Sequence, residues 1–323
     1  IESQSGYTAS IQITPGVTYQ WKIIGGLITS GDKSPLITFN AGSIGQLQLY
    51  CEMVNTAGTL ASNYKYIPVV DGPPVLSSVT LAQTTITTGE ATTLTAVFDN
   101  GIATLTSNTT NGGSGNLANG IPFQIAPSVD TTYTVTLTPA NASYASAIQS
   151  RVLKVVIPPI ISSFVSGSTQ VASNASTTLT ATFANGTGVV TNNINTTSLP
   201  ITSGAPLTVS PQVSTIYTLT LTNDAGRKVS QVVSVIVPPI PVATSLTLSP
   251  TTITQGQTAT LTPTYSNGSA VLTNSLNATS IPVPSSGFSL TVNPLSNVTY
   301  TLTVTNDVSQ TATKTAALTV TAA

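Results

Sequence analysis

Side chains that could do chemistry are scarce in this chain, and their types limit what it can catalyse. It has no histidine, a single cysteine, Cys51, and nine acidic residues in 323. Without histidine, no imidazole base and no His-containing nucleophilic triad can be assembled. One thiol and no imidazole leave zinc and copper without their usual ligands. The acids are Glu2, Asp32, Glu52, Asp71, Glu90, Asp99, Asp130, Asp224 and Asp307. None stands in the Asp-x-Asp spacing of a calcium loop. Backbone carbonyls near Asp71 are the place left for a junctional calcium ion. A glycosidase pair would need two acids delivered by different strands, and the acids are spread too thinly to expect one.

Other short motifs also resolve into architecture. The run Asn111-Gly112-Gly113-Ser114-Gly115-Asn116 has the glycines of a phosphate loop but lacks the lysine and the helix that follow one. It reads as a flexible loop. Lys154, Lys228 and Lys314 lie near strands that close their repeats, where an isopeptide bond needs a buried lysine beside an asparagine and an acid. Their neighbours give no such pattern. Asn-x-Ser/Thr sequons stand at Asn108, Asn141, Asn174, Asn185, Asn195, Asn267, Asn277 and Asn297. Several fall in turns that could carry a glycan, although a chain this rich in serine and threonine produces sequons by chance. The expectation is therefore a non-enzyme with no cofactor and no metal.

Charge excludes further classes. Eight basic and nine acidic residues give a net charge of −1, and charged residues make up 5% of the chain, against about 25% in ordinary globular domains. No basic stripe exists to neutralise phosphates, so nucleic acid is not an expected partner. The longest apolar run, Val152 to Ile161, contains Lys154 and a proline pair and is too short to span a bilayer. No signal peptide opens the chain, which reads as a processed or excised piece. The Thr/Ser/Asn-rich, repetitive composition points outside the cell.

The elements that would position any site are strands. Three segments, 73–157, 158–237 and 238–323, each open with a proline pair: Pro73-Pro74, Pro158-Pro159 and Pro238-Pro239. Each continues with an alternating strand, such as Thr93-Leu94-Thr95-Ala96-Val97-Phe98, that runs into Asn100-Gly101, Asn185-Gly186 or Asn267-Gly268. Asn-Gly is a strong hairpin signal, because both residues tolerate positive φ. Later in each repeat a tyrosine, Tyr133, Tyr217 or Tyr300, opens a second alternating strand. Threonine on one face and apolar residues on the other is the pattern of a half-buried antiparallel sheet. No helical period is sustained.

Short strands and turns in repeats of this length specify an all-β protein of tandem immunoglobulin-like sandwiches. Tyr133, Tyr217 and Tyr300 sit where a tyrosine corner would lie, or serve simply as core aromatics. The segment 1–72 is a more distant relative. Tyr19, Trp21 and Ile23 alternate on one strand, and Leu49, Cys51 and Met53 on another. In this register Trp21 and the Cys51 thiol face each other across the core. Only six residues precede the first strand at Tyr7, so this segment is expected to lack its initial strand, cut away or supplied by another chain.

A resemblance rests on these residues. The run Tyr19-Gln20-Trp21-Lys22-Ile23, with Gly25-Gly26-Leu27-Ile28-Thr29-Ser30-Gly31 and Val54-Asn55-Thr56-Ala57-Gly58, resembles the PKD-like and Ig-like modules of large bacterial surface proteins. Strings such as Tyr217-Thr218-Leu219-Thr220-Leu221-Thr222-Asn223 are similar to bacterial Ig-like repeats. The resemblance implies surface display, adhesion or spacing, and brings no catalytic residues. Short proline-containing junctions are stiff, so the modules are expected to form an extended rod. Near-zero charge and threonine strands with few guarding charges favour self-association by strand addition. Three functional readings follow: a stalk or filament subunit, an adhesin fragment that binds carbohydrate or protein, and accessory modules of a larger secreted enzyme. Tyr64, Tyr66 and Tyr144 are the loose aromatics an adhesin would use.

Overall fold

The computed structural model describes residues 5–43, 45–69, 72–277 and 279–322, and every regular element among them is a β-strand. The alternation seen in the sequence sets the burial. In Thr131–Thr138, Tyr133, Val135 and Leu137 are buried, while Thr132, Thr134 and Thr136 between them are only half-buried. Branched threonine fits the pleated surface that faces outward. The chain divides into two compact units, Ile1–Ile157 and Pro158–Ala323.

The first unit begins with a sandwich of six strands: β1 (Tyr7–Ser10), β2 (Thr18–Ile24), β3 (Gly26–Ser30), β4 (Leu36–Ala41), β5 (Gly45–Asn55) and β6 (Gly58–Val69). They form two sheets, β1-β4-β3 and β2-β5-β6. Ile37 and Phe39 from one sheet meet Leu47, Leu49 and Val69 from the other. The second sandwich contains β7 (Val75–Leu81), β8 (Thr85–Thr87), β9 (Thr92–Asp99), β10 (Ile102–Ser107), β11 (Gly115–Asn116), β12 (Phe123–Ile125), β13 (Thr131–Thr138) and β14 (Ala147–Val156). Its sheets are β12-β9-β7 and β11-β10-β13-β14-β8, with β8 parallel to β14.

The second unit repeats this plan. Its first sandwich has β15 (Ile160–Ser166), β16 (Thr177–Ala184), β17 (Thr187–Asn192), β18 (Ser198–Ile201), β19 (Pro206–Val209), β20 (Thr215–Thr222) and β21 (Lys228–Val235). The sheets are β15-β16-β19 and β18-β17-β20-β21. Its second has β22 (Val242–Ser249), β23 (Thr252–Thr254), β24 (Ala259–Ser266), β25 (Ser269–Asn274), β26 (Ile281–Val283), β27 (Leu290–Val292), β28 (Val298–Thr305) and β29 (Thr311–Thr321). These make sheets β22-β24-β27 and β23-β29-β28-β25-β26. The strand order, with a parallel partner on the final strand, is that of immunoglobulin-like sandwiches.

The three Asn-Gly pairs correct a sequence expectation. They do not close hairpins: each joins strands of opposite sheets, β9 to β10, β16 to β17 and β24 to β25. Only the asparagines take positive φ, 60° at Asn100, 63° at Asn185 and 60° at Asn267. The glycines are needed for closeness instead. A Cβ on Gly101, Gly186 or Gly268 would lie 2.6, 2.7 or 2.5 Å from the carbonyl oxygen of Thr138, Thr222 or Thr305. Each asparagine Nδ2 then donates back to the start of its own repeat, to the oxygen of Pro73 at 3.0 Å, Pro158 at 3.1 Å and Ile240 at 3.0 Å. The turn asparagine thus ties the entry segment of each repeat to the crossing between its sheets.

The glycine-rich segment is also more ordered than expected. Gly115 and Asn116 pair with Leu105 and Thr104, and the preceding Gly112 is buried.

Candidate functional site

Cys51 and Trp21 are the residues a sequence reader would choose first, and the structure changes their relation. They are directly paired neighbours on β5 and β2 of one sheet, not partners facing across the core. Antiparallel pairing of these two strands fixes that register. The thiol is buried, and desolvation pushes its pKa above the ordinary 9.0. Trp21 is half-buried, and its Nε1 donates to the Ser34 carbonyl at 2.8 Å.

Tyr133, Tyr217 and Tyr300 all lie in the cores, and burial raises the pKa of each phenol. The Tyr133 hydroxyl donates to the Gly112 carbonyl at 2.6 Å. That bond ties β13 to the loop after β10, so it is not the short upstream contact of a tyrosine corner. A local contact of that kind is made by Tyr19, whose oxygen accepts the Thr14 N–H at 2.7 Å.

Lys154, Lys228 and Lys314 are exposed, whereas an isopeptide bond needs a buried lysine. Asp71 lies outside the described residues. Among the described residues, no group of three His, Cys, Asp or Glu side chains is placed to hold a metal, and no helix is long and apolar enough to cross a membrane.

The eight sequon asparagines differ in how their side chains are used. Asn185 and Asn267 spend Nδ2 on the turn bonds described above. At Asn174, Nδ2 lies 3.5 Å from the Ser173 hydroxyl. Asn108, Asn141, Asn195, Asn277 and Asn297 accept backbone N–H bonds through Oδ1, which leaves the nitrogen that would carry a sugar on the other side of the amide.

The densest chemistry lies on the first sandwich. The register of β2, β5 and β6 sets Lys22, Tyr50 and Tyr64 in one row and Ile24, Gln48 and Tyr66 in the next. Both rows lie on the face opposite the core residues Leu47, Leu49 and Cys51. The Tyr50 and Tyr64 rings are 4.8 Å apart, tilted by 39°. Beside them a groove of about 760 Å³ runs between the edges of β2 and β3, lined by Lys22, Leu27, Asp32, Gln48, Tyr50, Tyr64 and the rim of Trp21. Tyr64 and Tyr66 stand out in the sequence as loose aromatics, whereas Tyr50, Gln48 and Lys22 do not. Only strand pairing brings them together.

A second cleft, of about 260 Å³, opens between β1 and β6 of the same sandwich and shares Trp21 and Tyr64 with the groove. Ala9, Ser10 and Ile11 line one wall, Lys65 and Ile67 the other, and Trp21, Leu49 and Cys51 its floor. Strand β1 is the outermost of its sheet, and among the described residues no strand pairs with its outer edge. The equivalent strands β9, β16 and β24 are covered there by β7, β15 and β22. Among the described residues the contiguous buried apolar cluster is also smaller, five residues against thirteen, ten and twelve in the following sandwiches.

No protein-family model matches the chain, and no curated protein matches it. Solved structures do. A four-domain ectodomain fragment of ICAM-5 is similar over 99% of this chain and 96% of its own, at 14% identity and a TM-score of 0.48. Immunoglobulin domains 1–5 of Sidekick-1 align over 99% and 78%, at 15% identity and 0.38. A Ca²⁺-stabilised adhesin with which an Antarctic bacterium binds ice aligns over 98% and 93%, at 16% identity and 0.31. The strand pairings themselves carry the fold: the chain is a tandem of immunoglobulin-like sandwiches.

Proposed function

We propose that this chain is a non-catalytic extracellular scaffold, a stalk or subunit of a bacterial cell-surface filament, and that copies join by adding a strand to the outer edge of β1. Its modules are 1–72, of the PKD-like kind, and the Ig-like 73–157, 158–237 and 238–323. The observation that carries the reading is the first sandwich. Among the described residues no strand pairs with the outer edge of β1, and an uncovered strand edge is an invitation to strand addition. The cleft beside it reaches Leu49 and Cys51, so an incoming strand could bury an apolar side chain where the neighbouring sandwiches bury their own first strand. The threonine-covered faces and sparse charge of the rest suit a structural element, and neutrality favours association.

The test is complementation. Peptides with the sequences of β7, β15 and β22 are added to the full chain while hydrogen exchange is followed on β1, and association is followed by light scattering. Protection of the β1 amides on peptide addition, with loss of self-association, supports the reading. A strict monomer at high concentration, with β1 amides already protected and insensitive to peptide, sinks it.

A further inference from the structure

We propose that the groove between β2 and β3 on the first sandwich binds a neutral carbohydrate chain, with Tyr50 and Tyr64 as the stacking platform. This does not depend on the scaffold reading, which rests on the β1 edge, whereas Lys22, Gln48 and Tyr50 line the groove and not the cleft beside β1.

The contrast with the other sandwiches is the starting point. On the matching face of the second sandwich, the rows read Thr104, Thr136, Ile148 and Thr106, Thr134, Ser150. In the third they read Val189, Thr220, Ser230 and Thr191, Thr218, Val232. In the fourth they read Val271, Thr303, Thr313 and Thr273, Thr301, Thr315. The first sandwich replaces this face of small branched residues with Lys22-Tyr50-Tyr64 and Ile24-Gln48-Tyr66. Nothing in sheet stability requires the change, since Thr, Ser, Val and Ile serve at these positions in the other three sandwiches. Tyr64 is 57% exposed and Tyr66 56%, so the rings are not there to fill a core.

The chemistry of the groove selects the ligand class. Tyrosine offers a flat apolar ring with a polar tip, suited to a ligand with an apolar face and hydroxyls at its edge. A pyranose ring has that form. Around the platform stand an amide, Gln48, an ammonium, Lys22, and a carboxylate, Asp32, which can donate and accept hydrogen bonds to hydroxyls. The two opposite charges leave no net field to select a phosphate or a cation. The groove is concave, and its volume falls in the range of small-ligand sites, whereas protein partners dock on broad, flatter patches.

Trp21 provides the assay. It is the only tryptophan in the chain and lines both the groove and the cleft beside β1, so an emission change is assigned to the groove where Tyr50→Ala, a residue that lines the groove and not the cleft, abolishes it. Cellohexaose, maltohexaose, chitohexaose and mannohexaose are titrated against the full chain. At least one is expected to shift Trp21 emission saturably. Tyr64→Ala should weaken that binding about tenfold or more, Tyr64→Phe should retain most of it, and Tyr144→Ala on the second sandwich should leave it unchanged. Because Tyr64 is exposed, an unaltered melting curve will show that the variant still folds. No shift with any of the four sugars, or equal affinity in Tyr64→Ala, overturns the proposal. So does loss of self-association in Tyr50→Ala without a sugar response, which would assign this face to a second copy of the chain.

Discussion

Replacing Tyr133 by phenylalanine removes one oxygen and leaves the ring in place. Tyr133 is fully buried, and its hydroxyl donates to the Gly112 carbonyl at 2.6 Å. In the variant that carbonyl loses its partner, and the ring that remains keeps water from taking over. Leaving a buried acceptor unsatisfied costs about 1–3 kcal/mol. Amide exchange that requires opening of β13 and β10 should therefore accelerate about 5- to 150-fold, at about tenfold per 1.4 kcal/mol. Hydrogen-exchange mass spectrometry of the full chain reads this directly on peptides covering 102–107 and 131–138. Tyr64→Phe, at an exposed position, serves as the control and should change stability by no more than about 0.5 kcal/mol. Exchange in Tyr133→Phe that matches the parent within about twofold would show that the bond to Gly112 contributes nothing net, and would refute the reasoning.

Three further outcomes are expected. Asn185→Ala or Asn267→Ala removes the bond to Pro158 or Ile240 and should lower the stability of its own sandwich by about 0.5–1.5 kcal/mol, read from urea midpoints. If the chain is glycosylated, glycopeptide mapping should place sugar on Asn108, Asn141, Asn195, Asn277 or Asn297 before Asn185 and Asn267, whose Nδ2 is already engaged in the turn bond. Burial raises the phenol pKa of Tyr133, Tyr217 and Tyr300 above 10.0 and the Cys51 thiol above 9.0. The folded chain then holds these protons longer than the unfolded chain does, so stability contributed by the three phenols should be level below about pH 10 and fall above it. The same burial should make Cys51 slow towards iodoacetamide until the chain is denatured; rapid native labelling would contradict it.

Much of the fold is legible in the sequence, because period-two alternation survives unbroken in strands such as β13, β20 and β28. What alternation cannot say is which sheet a strand joins. The Asn-Gly turns looked like hairpins because local chemistry is the same for a tight turn within a sheet and a tight crossing between sheets. The difference lies in a carbonyl from a strand far along the chain, Thr138 against Gly101. The same holds for Trp21 and Cys51: their face is legible in the sequence, their pairing on one sheet is not. The groove was half visible. Tyr64 and Tyr66 are conspicuous beside a threonine background, but Lys22, Tyr50 and Gln48 join them only through the pairing of β2, β5 and β6, which bridges 28 residues of chain between Lys22 and Tyr50 (50 − 22) and 18 between Gln48 and Tyr66 (66 − 48).

Electron microscopy of the material as it is displayed by the cell tests the scaffold account most directly. It should show polymers in which a strand from a neighbouring copy runs along the outer edge of β1 and fills the cleft above Leu49 and Cys51. Separate chains, each with that edge closed by its own residues, would contradict it.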